Sequence, residues 1–183
     1  MEFFDTAIEG VKLIKPKLHG DSRGFFLETY QQDNFKKAGI GYNFVQDNHS
    51  RSKKNTLRGL HYQLNNMQGK LVRVSRGSVF DVAVDMRKDS PTFKKHVSFV
   101  LSDENQYQLF IPPGFAHGFC VISDIADFEY KCTEFYNPSS EVGIIWDDPE
   151  LKINWPTTSP LISKKDEQNF LIADIPNNLL PKS

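Results

Sequence analysis

The run Ser78-Val-Phe-Asp-Val-Ala-Val-Asp-Met86 decides the class of fold. Phe80, Val82, Val84 and Met86 fall on one face, and Asp81 and Asp85 on the other. A period of two belongs to a strand; a helix would scatter those four apolar residues around its axis. Working outward, Val97, Phe99 and Leu101 repeat the pattern, as do Tyr107, Leu109 and Ile111. Phe128, Tyr130, Cys132, Glu134 and Tyr136 share one parity. Turn chemistry separates the runs: Arg76-Gly77-Ser78, Ser102-Asp103-Glu104-Asn105, Pro112-Pro113-Gly114 and Asn137-Pro138-Ser139-Ser140. One segment, Gln31 to Ala38, reads as helix, with few β-branched residues and a stop at Gly39. From Asp147 onward the chain is richer in Pro and polar residues, so residues 147–183 are expected as loops and short helical turns wrapping the body. Residues 1–183 are therefore read as one all-β domain, a sandwich or barrel of antiparallel strands with a few short peripheral helices. A small barrel can hold one ligand, which makes polar and aromatic residues on its inward faces the site candidates.

Composition narrows the function. Of 183 residues, 39% are hydrophobic and 25% charged, values of a globular chain with a real core. The 22 Lys and Arg nearly cancel the 23 Asp and Glu, leaving a formal net charge of −1. A strongly basic nucleic-acid binder is excluded; a local basic pocket for a small anion is not. No apolar run approaches the roughly 18 to 20 residues of a membrane span. Met1-Glu-Phe-Phe-Asp5 lacks a basic region followed by an apolar stretch, so a cytoplasmic protein is expected. Cys120 and Cys132 sit in strand-like apolar runs and read as reduced, buried thiols.

The chemistry begins at Ile111-Pro-Pro-Gly-Phe-Ala-His117-Gly-Phe-Cys120. A tight turn there delivers a histidine to the start of a strand, an order that resembles the second motif of the cupin jelly-roll barrels. Metal-binding cupins carry a first motif with two histidines one residue apart. The corresponding run here is Leu57-Arg-Gly-Leu-His61-Tyr-Gln63, where Gln63 stands in the place of a second ligand. His49 and His96 have no ligand-like spacing to it, and a metal site wants about three or four protein ligands. No metal is expected. Arg58 and His61 have opposite parity on a strand, so both can point inward only where the strand is bulged, and Gly59 permits that. By spacing alone Lys70, after a polar turn, reads as a solvated surface lysine. Arg23, in Asp21-Ser-Arg-Gly-Phe-Phe26, reads as turn chemistry. There is no G-x-G-x-x-G and no Walker-type loop, so no nucleotide cofactor is expected.

Six motifs then occur in order: Gly20-Asp-Ser-Arg-Gly-Phe-Phe26, Gln46-Asp-Asn48, Leu57 to Gln63, Ile111 to Phe119, Tyr130-Lys-Cys-Thr133 and Trp146-Asp-Asp-Pro149. Together they resemble the dTDP-4-dehydrorhamnose 3,5-epimerase family, from about Gly10 to Asp166. The resemblance implies a metal-free, cofactor-free jelly roll that inverts the carbons beside the C4 ketone of a dTDP-linked 6-deoxy sugar. It implies His61 as the base, Asp166 as the carboxylate orienting it, Lys70 as the cation stabilising the enolate, and Tyr130 as the acid on the opposite face. It places Arg58 at the sugar or diphosphate end, with His117 and Tyr136 among the substrate contacts; Tyr136 occupies a position that is Trp in some members. On the nucleotide side it implies Arg23 on the diphosphate, Phe26 on thymine, and Glu28, Gln46 and Asn48 on the base and sugar edges. The Arg23 and Glu28 region is implied to cross to the partner of a homodimer.

Three other readings stay open at this point. One is an epimerase acting at C3 only, since the same base and acid serve both carbons. A second is a metal-dependent cupin. The third is a barrel that binds a dTDP-sugar without catalysis, against which His61, Lys70 and Tyr130 speak together.

Overall fold

The structure, a computed structural model, describes residues 1–182. Thirteen strands and one helix make it up. In chain order they are β1 (Glu2–Asp5), β2 (Lys12–Lys15), β3 (Leu18–Asp21), β4 (Gly24–Leu27), α1 (Gln32–Lys37), β5 (Gln46–Lys53), β6 (Leu57–Gln63) and β7 (Lys70–Arg76). Then come β8 (Ser78–Asp85), β9 (His96–Ser102), β10 (Gln108–Ile111), β11 (Phe115–Val121), β12 (Ile125–Cys132) and β13 (Glu141–Gly143). Two antiparallel sheets face each other, one ordered β1-β2-β10-β7-β12-β5 and the other β13-β6-β11-β8-β9. The antiparallel all-β architecture is the one that the alternating runs predict, and its jelly-roll form is the one that the family resemblance implies. Strands β3 and β4 form a separate hairpin. The helix is one residue shorter at each end than expected: Gln31 caps its start through a hydrogen bond from the Asn34 N–H, and Ala38 caps its end. Among the described residues no helix is long and apolar enough to cross a membrane.

The decisive run, β8, is buried on both faces. Val79 and Ala83 point between the sheets, packing with Val72, Leu109, Ile111, Phe119 and Phe128. Val82, Val84 and Met86, with Phe80 beside them, face outward, and the C-terminal tail covers them with Leu151, Ile172, Ile175, Leu179 and Leu180. The apolar stripe read from the sequence is thus the outside of the barrel. The tail turns it into a second core, because such a stripe cannot stay in water at about 25 cal/mol per Å². Short 3₁₀ turns at Asp166–Gln168, Ile172–Asp174 and Asn177–Leu179 let the tail follow the sheet.

Candidate active site

A cavity of about 630 Å³ opens between the two sheets. Strand β6 delivers two of its walls. His61 pairs with His117 on β11, and Arg58 with Phe119, so three steps on β6 match two on β11. Gly59 makes the bulge possible: its φ is +110°, and a Cβ there would lie 2.6 Å from the Gly118 Cα. Arg58 and His61 both line the cavity as a result, despite their opposite parity. Arg58 donates to Ser52 Oγ at 3.1 Å through two of its nitrogens.

His61 meets Asp166 from the tail, Nε2 to Oδ1, at 2.5 Å. The turn that carries Asp166 is set by Ser163, whose Oγ accepts the Asp166 N–H. Burial alone raises the Asp166 pKa, but hydrogen bonds from His61, Ser163 and Asn169 outweigh it, and the carboxyl sits below its ordinary value. With Nε2 engaged by a carboxylate, the lone pair of the neutral ring lies on Nδ1.

Tyr130 stands on β12, in the sheet opposite His61. Burial, with smaller contributions from Cys132 and Glu141, raises its hydroxyl above the ordinary value. Lys70 heads β7 opposite Cys132 and lines the same cavity. The surface reading of this lysine is corrected by the structure: it is half-buried on the cavity wall. Burial lowers its pKa, and the charges of Cys132, Glu141 and Asp81 offset part of that. Gln46 and Asn48, from β5, and Tyr136, from the loop after β12, complete the wall.

His117 also lines the cavity, but its Nε2 is held at 2.9 Å by Asp81 Oδ2. Its ring stacks on Phe128 at 5.9 Å. Asp81 is fully buried, and its other oxygen has no hydrogen-bond partner among the described residues. The signal for this pair was a carboxylate inside the apolar run of β8.

Two cavity residues, Glu141 and Lys165, went unnoticed in the sequence. Glu141 Oε2 accepts from the Tyr136 hydroxyl at 2.6 Å, and Oε1 from Lys165 Nζ at 2.7 Å. Neither residue belongs to a local pattern; the cluster exists because β13 and the tail converge. The structure does not bring Arg23, Phe26 and Glu28 into the cavity of their own chain. They lie on or beside the β3–β4 hairpin, where Arg23 is forked on Asp21 at 2.6 Å and is 88% exposed. Phe26 is 70% exposed, and Glu28 accepts from Asn34.

Among the described residues no three His, Cys, Asp or Glu side chains cluster as metal ligands. Gln63, at the position of a second cupin ligand, bonds backbone groups instead.

Known proteins share the sequence and the fold of this chain. Residues 5–174 match the family model described as dTDP-4-dehydrorhamnose 3,5-epimerase. A dTDP-4-dehydrorhamnose 3,5-epimerase of Neisseria gonorrhoeae is 57% identical over 91% of this chain; the chain spans about half of that relative, 51%. One of Pseudomonas aeruginosa is 55% identical over 92% of this chain and 94% of its own length. A crystal structure of dTDP-6-deoxy-D-glucose-3,5-epimerase from Legionella pneumophila, in complex with dTDP-4-keto-L-rhamnose, superposes with a TM-score of 0.97. It is 50% identical and covers 100% of this chain and 98% of that one. By sequence and by fold, the chain belongs to the dTDP-4-dehydrorhamnose 3,5-epimerase family.

Proposed function

We infer that the protein converts dTDP-4-dehydro-6-deoxy-D-glucose to dTDP-4-dehydro-L-rhamnose by inverting C3 and C5. One observation carries the reading: a carboxylate-held histidine on one sheet faces a half-buried tyrosine on the other across a cavity that also holds a lysine. The C4 ketone acidifies the protons on C3 and C5. Asp166 accepts the Nε2–H of His61, fixing the tautomer that leaves the Nδ1 lone pair free to take a proton. Nδ1 takes the proton, the electron pair moves onto the ketone oxygen, and the Lys70 ammonium stabilises the enolate. Tyr130 returns a proton from the other side, and its raised pKa keeps the hydroxyl protonated until needed. Proton NMR of the keto sugar with the enzyme in D2O tests this. Deuterium at C3 and C5 supports double inversion, C3 alone supports a single one, and no exchange overturns the assignment. The names of the relatives favour the double inversion over the C3-only, metal-dependent and purely binding readings.

Lys70 predicts a pH dependence. It acts as a cation, and burial holds its pKa below the ordinary lysine value. Activity therefore falls as pH rises through that lowered value. Lys70→Met lowers kcat by about 10²- to 10³-fold, the range for one lost stabiliser of a developing oxyanion. A kcat pH profile in which Lys70→Met keeps wild-type rates removes the role.

A homodimer completes the nucleotide half of the site. The support is a hairpin that exposes Phe25 at 60% and Phe26 at 70% beside Arg23, outside the lining of the cavity that holds His61 and Tyr130. Paired with a second copy, Arg23 reaches the diphosphate with a planar fork, Phe26 covers thymine, and Glu28 joins Gln46 and Asn48 at the nucleoside. The interface should exceed roughly 2,000 Å² in total. Light scattering at micromolar concentration checks this, and a clean monomer overturns it. Cys120 and Cys132 are both unpaired thiols, which fits a reducing, cytoplasmic compartment.

A further inference from the structure

The geometry points to Gln63 as a positioning residue that sets the reaction geometry by locking two separate pieces of the cavity wall together. Gln63 is 5% exposed, and its amide makes three hydrogen bonds. Its Nε2 donates to the Asn66 carbonyl at 2.6 Å and to the Phe135 carbonyl at 3.1 Å. Its Oε1 accepts the Asn137 N–H at 2.8 Å. Asn66 lies in the turn that leads into Lys70. Phe135 and Asn137 flank Tyr136, whose hydroxyl reaches Glu141. One buried amide thus couples the approach of the enolate-stabilising cation to the loop that carries the aromatic wall of the sugar site.

Neighbouring contacts strengthen the same seam. Gly69 and Thr133 exchange two bonds, the Gly69 N–H to Thr133 Oγ1 at 2.8 Å and the Thr133 N–H to the Gly69 carbonyl at 3.0 Å. Gln68 Nε2 donates to the Glu134 carbonyl at 2.8 Å. The Tyr136 N–H in turn bonds Gln46 Oε1 at 3.0 Å, linking the loop to β5. Gln63 differs from these in holding both sides of Tyr136 at once. The position that a metal-binding barrel gives to a ligand here serves the wall. Side chains held by such bonds keep reacting groups within the few tenths of an ångström that catalysis requires, and a misplacement of about 1 Å can cost 10²-fold.

This inference rests on the epimerase reading above, and the experiment separates the two. Wild type, Gln63→Met and Gln63→Glu are compared on the keto sugar in D2O, well below their melting temperatures, with the folded fraction taken from circular dichroism. Gln63→Met keeps the length of the side chain and loses all three bonds. Its kcat per folded site is expected to fall about 10- to 100-fold. Gln63→Glu keeps an acceptor for Asn137 and, when ionised, has no donor for the two carbonyls. Protonation restores a donor, so the ratio of its kcat to that of wild type is expected to rise as pH falls. A merely structural role lowers melting temperature and leaves both kcat per folded site and that ratio flat, and this result overturns the inference. If Gln63→Met does not fold, the pH trend of Gln63→Glu decides alone. Inert wild-type enzyme overturns the epimerase reading instead.

Discussion

His61→Asn abolishes both solvent exchange and product, while the fold survives. The step proposed for His61 precedes all others: with no base, C3 and C5 keep their protons and neither Lys70 nor Tyr130 has an enolate to act on. The expected loss is at least the roughly 10²- to 10⁴-fold of general base catalysis. Asparagine fits the site sterically, but its amide has no basic lone pair. Asp166 stays buried and keeps Ser163 and Asn169 as partners, so the stability cost is about 1–3 kcal/mol. The pH dependence of that cost has a definite sign. In wild type the Asp166 pKa is lowered on folding, so the linked stability is present above the carboxyl's unfolded value and fades as pH falls through the folded one. Losing the His61 bond shrinks the shift. The difference in stability between the two proteins should therefore be widest near neutrality and narrow in acid. Deuterium incorporation by NMR, beside chemical melts at several pH values, measures both. A folded His61→Asn protein that exchanges at the wild-type rate removes His61 as the base.

The strands were legible because their alternation is local. Phe128, Tyr130 and Cys132 show the inward parity, and all three line the cavity. The bulge at Gly59 was legible too, since Arg58 and His61 could not otherwise share a side. What one strand's pattern could not reveal is which of its faces meets the other sheet. In β8 the more apolar face turned out to lie under the tail, while the face carrying Asp81 looks into the barrel. Lys70 was misread for the same reason. A lysine after a polar turn looks solvated until the loop of residues 133–137 closes over that turn through Thr133, Glu134 and Gln63. Glu141 and Lys165 left no trace at all, because their encounter depends on the tail crossing β6, 24 positions apart in sequence. Asp166, in that same crossing, was placed by resemblance to a family and by nothing in its own neighbourhood.

Tyr130→Phe gives the sharper result, because it separates the two halves of the reaction. His61 and Tyr130 lie on opposite sheets, so a proton taken by one and returned by the other inverts the carbon. Without the hydroxyl, His61 still removes the proton and Lys70 still stabilises the enolate. The His61 imidazolium stands on the face that the proton left, and it returns one from that side. In D2O the deuterium enters with configuration retained, and epimerised product falls by orders of magnitude while exchange persists. The competing account makes Tyr130 a core aromatic beside Phe128, their ring centroids 6.0 Å apart. On that account Tyr130→Phe costs about 1–3 kcal/mol of stability through the lost hydroxyl, and exchange and epimerisation change in step. Both rates come from one NMR sample, so the folded fraction cancels in their ratio. A ratio of exchange to epimerisation well above that of wild type identifies Tyr130 as the acid. An unchanged ratio assigns the second proton to another group.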